Sequence, residues 1–410
     1  MKNKETVIAA LDIGASKVCC LISGLPEEKG VLNILGYGVS HHDCLKKGVV
    51  SDIKGLSDAI SAAVYEAEAA SRKKVQSVYF NISGIHLHGI SSHGEIVISD
   101  RDNEITRHDV DRVITNAKSI HMPYERDIVY CSRGDFVVDA EEGIANPVGM
   151  FGLKLETNMF LVTAKISMID NLKKAVKYSG LGIEDSIISP LAGLESTVSG
   201  HEKNLGVVFV DIGADMTAIL IVYKSRPVFF KTLPIGGDDI TKKLAKELSV
   251  SEAESERIKI EKLTLDETGK DRKVAISTEL GKKTVSLTGL KSVLIEEYSS
   301  MFNQVKKEIN GSGYSSNIPS GVVMCGQPVI MDGCIELAES VLKIPVRIGH
   351  MMGLGAVPKP LPSHICFIAV GLLQLGVKSK RPKVSLLRLG PKNWAFALSD
   401  YVKRLYKDYF

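Results

Sequence analysis

This chain lacks the features that define several large protein classes. It has no apolar run long enough to span a bilayer: the longest late one, Ile365 to Leu373, falls well short of the roughly 20 residues a spanning helix needs. The opening MKNKETVIAALDIG holds no apolar run of signal-peptide length before Asp12. Cysteines number seven (Cys19, Cys20, Cys44, Cys131, Cys325, Cys334 and Cys366), an odd count with no C-x-x-C pair, which implies reduced, mostly buried thiols and hence a cytosolic location. Tryptophan occurs once against 36 glycines, a composition of many turns rather than of a disulfide-stapled scaffold. A strong excess of either charge is missing too, the net being +3. What basic excess there is sits late: from Lys378 to Phe410 nine Lys and Arg face two Asp, which leaves the body before them at −4. A mildly acidic body argues against a broad nucleic-acid surface, whereas a short basic tail suits an anionic membrane or an acidic partner. With 44% hydrophobic and 24% charged residues the chain is not generally disordered, and its 410 residues allow roughly two to four compact units.

What the chain does have is a repeated phrase. VIAALDIGASK at Val7 to Lys17 and VVFVDIGADMT at Val207 to Thr217 share Asp-Ile-Gly. In each copy an apolar run of buried-strand length ends in that phrase, a small residue follows, and a second apolar run returns, Val18 to Ile22 and Ala218 to Val222. The pattern predicts two hairpins. Glycine in the turn lets backbone N–H groups approach an anion, and an Asp at a strand end can hold a metal through water. Two such hairpins facing each other would clamp a magnesium nucleotide. One Asp-Ile-Gly alone reads as an ordinary buried hairpin; its repetition favours the clamp.

Around the first copy the order is β-β-β-α-β: LNILGYGVS, a helix on Ile53, Leu56, Ile60, Val64 and Ala67, then the strand VQSVYFNI. That is an α/β opening, with helices packed on a sheet. From 81 to 164 the texture changes to EIVIS, a helix capped by Thr106 and Asp109, and IVYCSRGDFVVD, which reads as an inserted α+β module. A helix on Ile169, Leu172 and Val176, stopped by Gly180, leads through SPLAGLES to the second copy. Beyond it Gly236-Gly237-Asp238-Asp239 opens a helix on Ile240, Leu244, Ala245 and Leu248; free N–H groups there attract anions, although such a start is more often simple capping. A small subdomain follows: the charged helix SEAESERIKIEKL, a short hairpin, and a long amphipathic helix through Leu290 to Ile309. GVVMCGQPVIM is a strand running into a turn. Residues 377 to 392 hold no acid and two prolines and read as a linker before a terminal helix over 393–410.

Two Asp-Ile-Gly hairpins on duplicated α/β halves, a Gly-Gly helix start and a later strand ending in a glycine turn are, in this order, the motifs of the actin, Hsp70 and sugar-kinase superfamily. ISGIHLHGISSHGEIVI, Glu104-Ile105 with HDVDRVI, and FVVDAEEGIANPVGMFGLKLE narrow it further. Over roughly Val7 to Val370 the chain closely resembles the FtsA family of bacterial cell-division actin homologues, in which an extra subdomain carries the phrase about Asn146-Pro147-Val148-Gly149-Met150. The resemblance implies an α/β, actin-like duplicated fold with an inserted α+β subdomain and a C-terminal amphipathic helix. On that pattern residues 1–80 and 165–196 form subdomain 1A, 81–164 the inserted 1C, 197–238 and 311–376 subdomain 2A, 239–310 subdomain 2B, and 377–410 the basic linker and membrane-targeting helix.

The resemblance also implies ATP and Mg2+ as cofactors. Asp12, Gly14, Ser16 and Lys17 match the first phosphate loop, Asp211, Gly213 and Thr217 the second, and Gly236 with Gly237 the connecting turn. Glu256 and Lys259 match the nucleoside-side helix and Gly326 the adenosine loop, while Asp12 and Asp211 reach the metal through water. Asp215 and Met216 stand where the family usually has Gly and Thr, which puts an extra carboxylate toward phosphate oxygens. Gln327 and Pro328 follow Gly326 where the family is glycine-rich, so side chains occupy the place of close backbone approach and binding is weakened. Ser189, Glu195 and Ser196 match no known catalytic group, and on the strength of Asp215 and the Gln327-Pro328 pair binding with slow turnover or none is expected.

Over 393–410 one helical face carries Trp394, Leu398, Tyr401, Val402, Leu405 and Tyr409, and the other Asp400, Lys403, Arg404 and Lys407. An aromatic stripe opposite a basic face suits an in-plane membrane anchor or a helix docked on protein, and the family ends in such an anchor. The resemblance therefore implies a peripheral adaptor on the cytoplasmic face of the inner membrane at the division site. It would polymerise, tie the tubulin-like division protein FtsZ to the anionic membrane through residues 239–310, recruit later divisome membrane proteins, and bind no nucleic acid. Rivals on the same fold are a type IV pilus assembly protein, which lacks the terminal anchor, and an ATP-dependent small-molecule kinase, which needs a catalytic Asp and intact phosphate loops. His86, His88 and His93 have a spacing that would recruit a metal, with no carboxylate or Cys pattern to complete a site. Lys378 to Lys383 is too short a patch for nucleic acid.

Overall fold

The computed structural model of the chain describes residues 7–25, 31–99, 102–265, 273–278, 281–357 and 361–380. The amphipathic helix expected over 393–410 lies outside them. In the first half β1 (Val7–Ile13) and β2 (Lys17–Gly24) form the expected hairpin, and β3 (Asn33–His41) pairs antiparallel with β2. A short ribbon of β4 (Leu45–Lys46) and β5 (Val49–Val50) leads into α1 (Ile53–Ser71), whose start is capped by Asp52 and whose Leu56, Ile60, Ala63 and Ala67 are buried. This is the apolar spacing of a helix lying on a sheet. The next strand, β6 (Ser77–Ile82), runs parallel to β1.

The chain then leaves this sheet. β7 (His88–Val97), α2 (Arg107–Lys118), β8 (Arg126–Val138), β9 (Glu141–Ile144) and β10 (Lys154–Lys165) build a separate four-stranded sheet, order β7-β10-β8-β9. The capping box at α2 forms as its residues predict, with the Asp109 carboxylate accepting from Thr106 N–H at 3.0 Å. A small core of its own, with Ile98, Ile105, Val113, Phe136, Val138 and Leu155, holds part of this module together. The chain returns through α3 (Ile166–Tyr178) to β11 (Gly182–Ile188), which completes the first sheet in the order β3-β2-β1-β6-β11.

Helices α4 (Ser189–Thr197) and α5 (Gly200–Leu205) lead to the second copy, β12 (Val207–Ile212) and β13 (Thr217–Tyr223), with β14 (Arg226–Leu233) beside them. An excursion follows through α6 (Gly237–Leu248), α7 (Glu252–Lys262), the ribbon β15 (Lys273–Thr278) and β16 (Gly281–Ser286), and α8 (Leu287–Gly311). Then β17 (Val322–Cys325), a 3₁₀ turn at Gln327–Ile330, α9 (Cys334–Leu342) and β18 (Val346–Ile348) close a second sheet, order β14-β13-β12-β17-β18. Both sheets thus consist of three antiparallel strands followed by two parallel ones, so the repeated phrase marks a repeated fold.

Two helices tie the halves. The last described one, α10 (Ser363–Lys380), follows the second sheet but buries Cys366, Ala369, Leu372 and Leu373 in the core of the first. It crosses α4 at near backbone contact: a Cβ at Gly371 would lie 1.7 Å from the Ala192 carbonyl oxygen. Phe367 of α10 meets Phe209 of β12, with ring centroids 6.5 Å apart. Residues 377–380, expected as linker, are the last turn of α10, where Lys378 Nζ reaches Glu195 at 2.7 Å and Ser379 reaches the Tyr79 hydroxyl at 3.1 Å. Among the described residues no helix is long and apolar enough to cross a membrane.

Candidate functional site

The two Asp-Ile-Gly turns have the same local geometry. Gly14 N–H donates to Lys17 O at 2.9 Å, and Gly213 N–H donates to Met216 O at 2.8 Å. They face a cleft of about 550 Å³ between the halves. Ten of the expected residues line it: Asp12, Gly14, Ser16, Lys17, Asp211, Gly213, Gly237, Glu256, Lys259 and Gly326. Thr217 does not. By hairpin register it is the partner of Ile212, one position into β13; it is fully buried and its hydroxyl donates to Ile235 O at 2.8 Å. Gly236 does not line the cleft either. It packs behind the second turn, where a Cβ would sit 2.5 Å from Ala214 O.

Asp12 and Asp211 end the central strand of each sheet, and burial pushes both carboxyls up to about 7. The charge of Asp12 adds to the rise at Asp211, while Lys17 opposes it at both. Asp12 is also oriented. Asn81 Nδ2 donates to its Oδ1 at 2.7 Å and to Ser189 Oγ at 3.0 Å, and Asn81 Oδ1 accepts from Ile13 N–H at 2.6 Å. The sequence reasoning missed Asn81, although a polar side chain in the buried run VYFNI was a usable signal. Two buried carboxylates of like charge, beside Lys17 and two glycine turns, are a donor set that fits a divalent cation carrying phosphate.

The far wall comes from the second half. Lys259 Nζ bonds Gly237 O at 3.1 Å, Thr241 Oγ1 at 2.6 Å and Glu256 at 2.6 Å, so the matched pair is mutually neutralised. Tyr298 donates its hydroxyl to Pro328 O at 3.0 Å. Gly326 is required where it stands: its φ is 102°, and a Cβ would come within 2.0 Å of Ile212 O. Of the two readings of the α6 start, capping is the one seen: Gly236 N–H is taken by Asp239, Gly237 N–H by Gly213 O and Asp238 N–H by Ala214 O, so this start fastens the second turn. Asp215 lines the cleft, and its carboxylate accepts the backbone N–H of Lys47 from the opposite half.

Outside the cleft, β7 and β10 bring His93 beside Glu95 and Glu156 on an exposed sheet face. Lys154 Nζ already sits 2.7 and 3.1 Å from the two carboxylates, a protein cation in the position an ion would take. His86 is separate and buried, which with Arg126 nearby lowers its imidazole to about 4.

Residues 84–163 match the model of the SHS2 domain inserted in FtsA, and residues 208–365 match that of cell division protein FtsA. The chain belongs to the FtsA family. It is 32% identical over 384 residues to cell division protein FtsA of Pseudomonas aeruginosa, covering 93% of this chain and 91% of that one. The FtsA of Neisseria meningitidis is 30% identical over 92% of each chain. Solved structures with the same fold include a PilM-PilN type IV pilus biogenesis complex (TM-score 0.64, 14% identity, 91% of this chain and 99% of that one). MreB 5 of Spiroplasma citri bound to AMPPNP is another, at TM-score 0.55 and 11% identity over 90% and 95% of the chains. The fold is therefore actin-like. The pilus protein shares that fold, whereas the FtsA relatives share sequence along nearly the whole chain, and this decides between the two readings.

Proposed function

We propose that this member of the FtsA family is a nucleotide-regulated adaptor of cell division, which binds Mg-ATP in the cleft and links a tubulin-like division protein to the inner membrane. The observation that carries the nucleotide part is the pair of Asp-Ile-Gly turns, closed by equivalent backbone hydrogen bonds, that line the same cleft. In this reading Asp12 and Asp211 hold Mg2+ through water, the turn N–H groups and Lys17 hold phosphate, and Glu256 and Lys259 border the nucleoside. The metal would neutralise phosphate charge and the two buried carboxylates together. Asn81 keeps Asp12 turned so that one oxygen remains for that role. Ser189 beside Asn81 offers only a hydroxyl where hydrolysis needs a group that orients water, so turnover is slow or absent.

The remaining parts rest on family membership and on the tail's composition. The chain polymerises as an actin-like filament, binds the tubulin-like protein FtsZ through residues 239–310, attaches to anionic lipid through 393–410, and recruits later divisome membrane proteins. Depleting the protein in its native cell while imaging division rings tests this reading. Rings that no longer constrict, with filamentous cells, are expected; normal septation contradicts it.

A further inference from the structure

The tip of the β4–β5 ribbon is held from both sides of the cleft. Lys47 and Gly48 form it, both with left-handed backbone (φ 49° and 83°). On its own half Lys47 O accepts Ile85 N–H at 3.2 Å, and Gly48 lies so close to Gly84 that a Cβ would stand 2.3 Å from the Gly84 Cα. From the other half, Asp215 Oδ2 accepts Lys47 N–H, and Lys47 Nζ donates to Pro234 O at 2.9 Å. With two residues in each strand, the ribbon is too short to be ordered by its own pairing and takes its position from these contacts. Asp215 meanwhile belongs to the turn that faces the cleft, so the grip on Lys47 and the cleft wall are one structural unit.

We propose that Asp215 is the latch that sets how long a nucleotide stays in the cleft: its carboxylate holds the first half through Lys47 N–H, and the halves part only when that bond breaks. The proposal rests on the nucleotide reading of the cleft. It reverses the expectation drawn from the family resemblance, in which an extra carboxylate faces phosphate oxygens and weakens binding. A charge-assisted hydrogen bond to backbone, if it exists only in the closed form, slows release by about tenfold or more. Asp215→Asn removes the charge and keeps an oxygen acceptor, while Asp215→Ala removes both.

The test loads full-length protein with a fluorescent ATP analogue and Mg2+, chases with excess ATP, and follows release by stopped flow. Hydrogen exchange at residues 44–50 of the nucleotide-free protein is measured in parallel. Asp215→Ala is expected to release at least tenfold faster and to lose protection at the ribbon, with Asp215→Asn nearer the wild type. Slower or unchanged release in Asp215→Ala overturns the latch, slower release being the mark of relieved repulsion. Failure of the wild type to bind the analogue overturns the reading of the cleft itself, and unaltered ribbon protection in Asp215→Ala then also removes the contact as a clasp.

Discussion

Asp12 and Asp211 carry the sharpest consequences of any residues in the fold, because each ends a buried central strand as an ionisable group. With their carboxyls raised to about 7 by burial, the nucleotide-free protein prefers them protonated. An acid whose folded pKa lies above its unfolded value near 4 contributes stability that is complete below pH 4 and lost as pH rises to about 7. In EDTA the melting temperature is therefore expected to fall from pH 5.5 to pH 7.5, and Asp211→Asn should flatten that slope; an equal slope in both proteins contradicts the assignment. Mg2+ prefers the ionised pair, so its affinity in the presence of nucleotide should rise over the same range. Thr217 provides the opposite case. Its buried hydroxyl serves Ile235 O and not the cleft, so Thr217→Val should cost about 1 kcal/mol of stability and leave nucleotide affinity unchanged in a binding titration.

Among the elements, α10 has the widest reach. It starts at the cleft, where His364 and Ile365 contribute to the wall, crosses α4 at Gly371, and ends where Glu195 holds Lys203 at 2.8 Å and Lys378 at 2.7 Å. The two ammonium groups keep the Glu195 carboxyl ionised despite its burial. Glu195→Ala leaves Lys203 buried beside no counter-charge from α4, and about 3 kcal/mol of destabilisation is expected in urea unfolding, with faster hydrogen exchange at the end of α10. A loss below 0.5 kcal/mol would contradict it. Local signals made much of the fold legible: the Asp-Ile-Gly hairpins, the apolar spacing of α1 and α8, and the capping box of α2 lie within a few residues of what they determine. The end of α10 was not legible, because a basic stretch reads as linker until Glu195, far away in sequence, is seen to meet it. Lys47 escaped for the same reason, since its partners Asp215 and Pro234 come from the opposite half and no spacing within the chain encodes that meeting.

At the scale of the whole molecule, duplication explains the site. Two sheets of equal topology each deliver one Asp-Ile-Gly turn to a shared cleft, and α4 and α10 pack between the halves, with Phe367 of α10 against Phe209 of β12. The inserted module joins this arrangement through Asp135, which pairs with Arg226 of β14 at 2.7 Å and so ties it to the second half as well. On the proposed nucleotide-regulated adaptor function, a ligand that draws the halves together would reach the inserted module through this contact. The most direct measurement is flotation of the purified tubulin-like division protein with anionic liposomes, in the presence of this chain and Mg-ATP. The account predicts that the partner rises with the lipid only when the full chain is present, and stays behind when residues 393–410 are deleted. A partner that never floats, or that floats equally with the truncated chain, would contradict it.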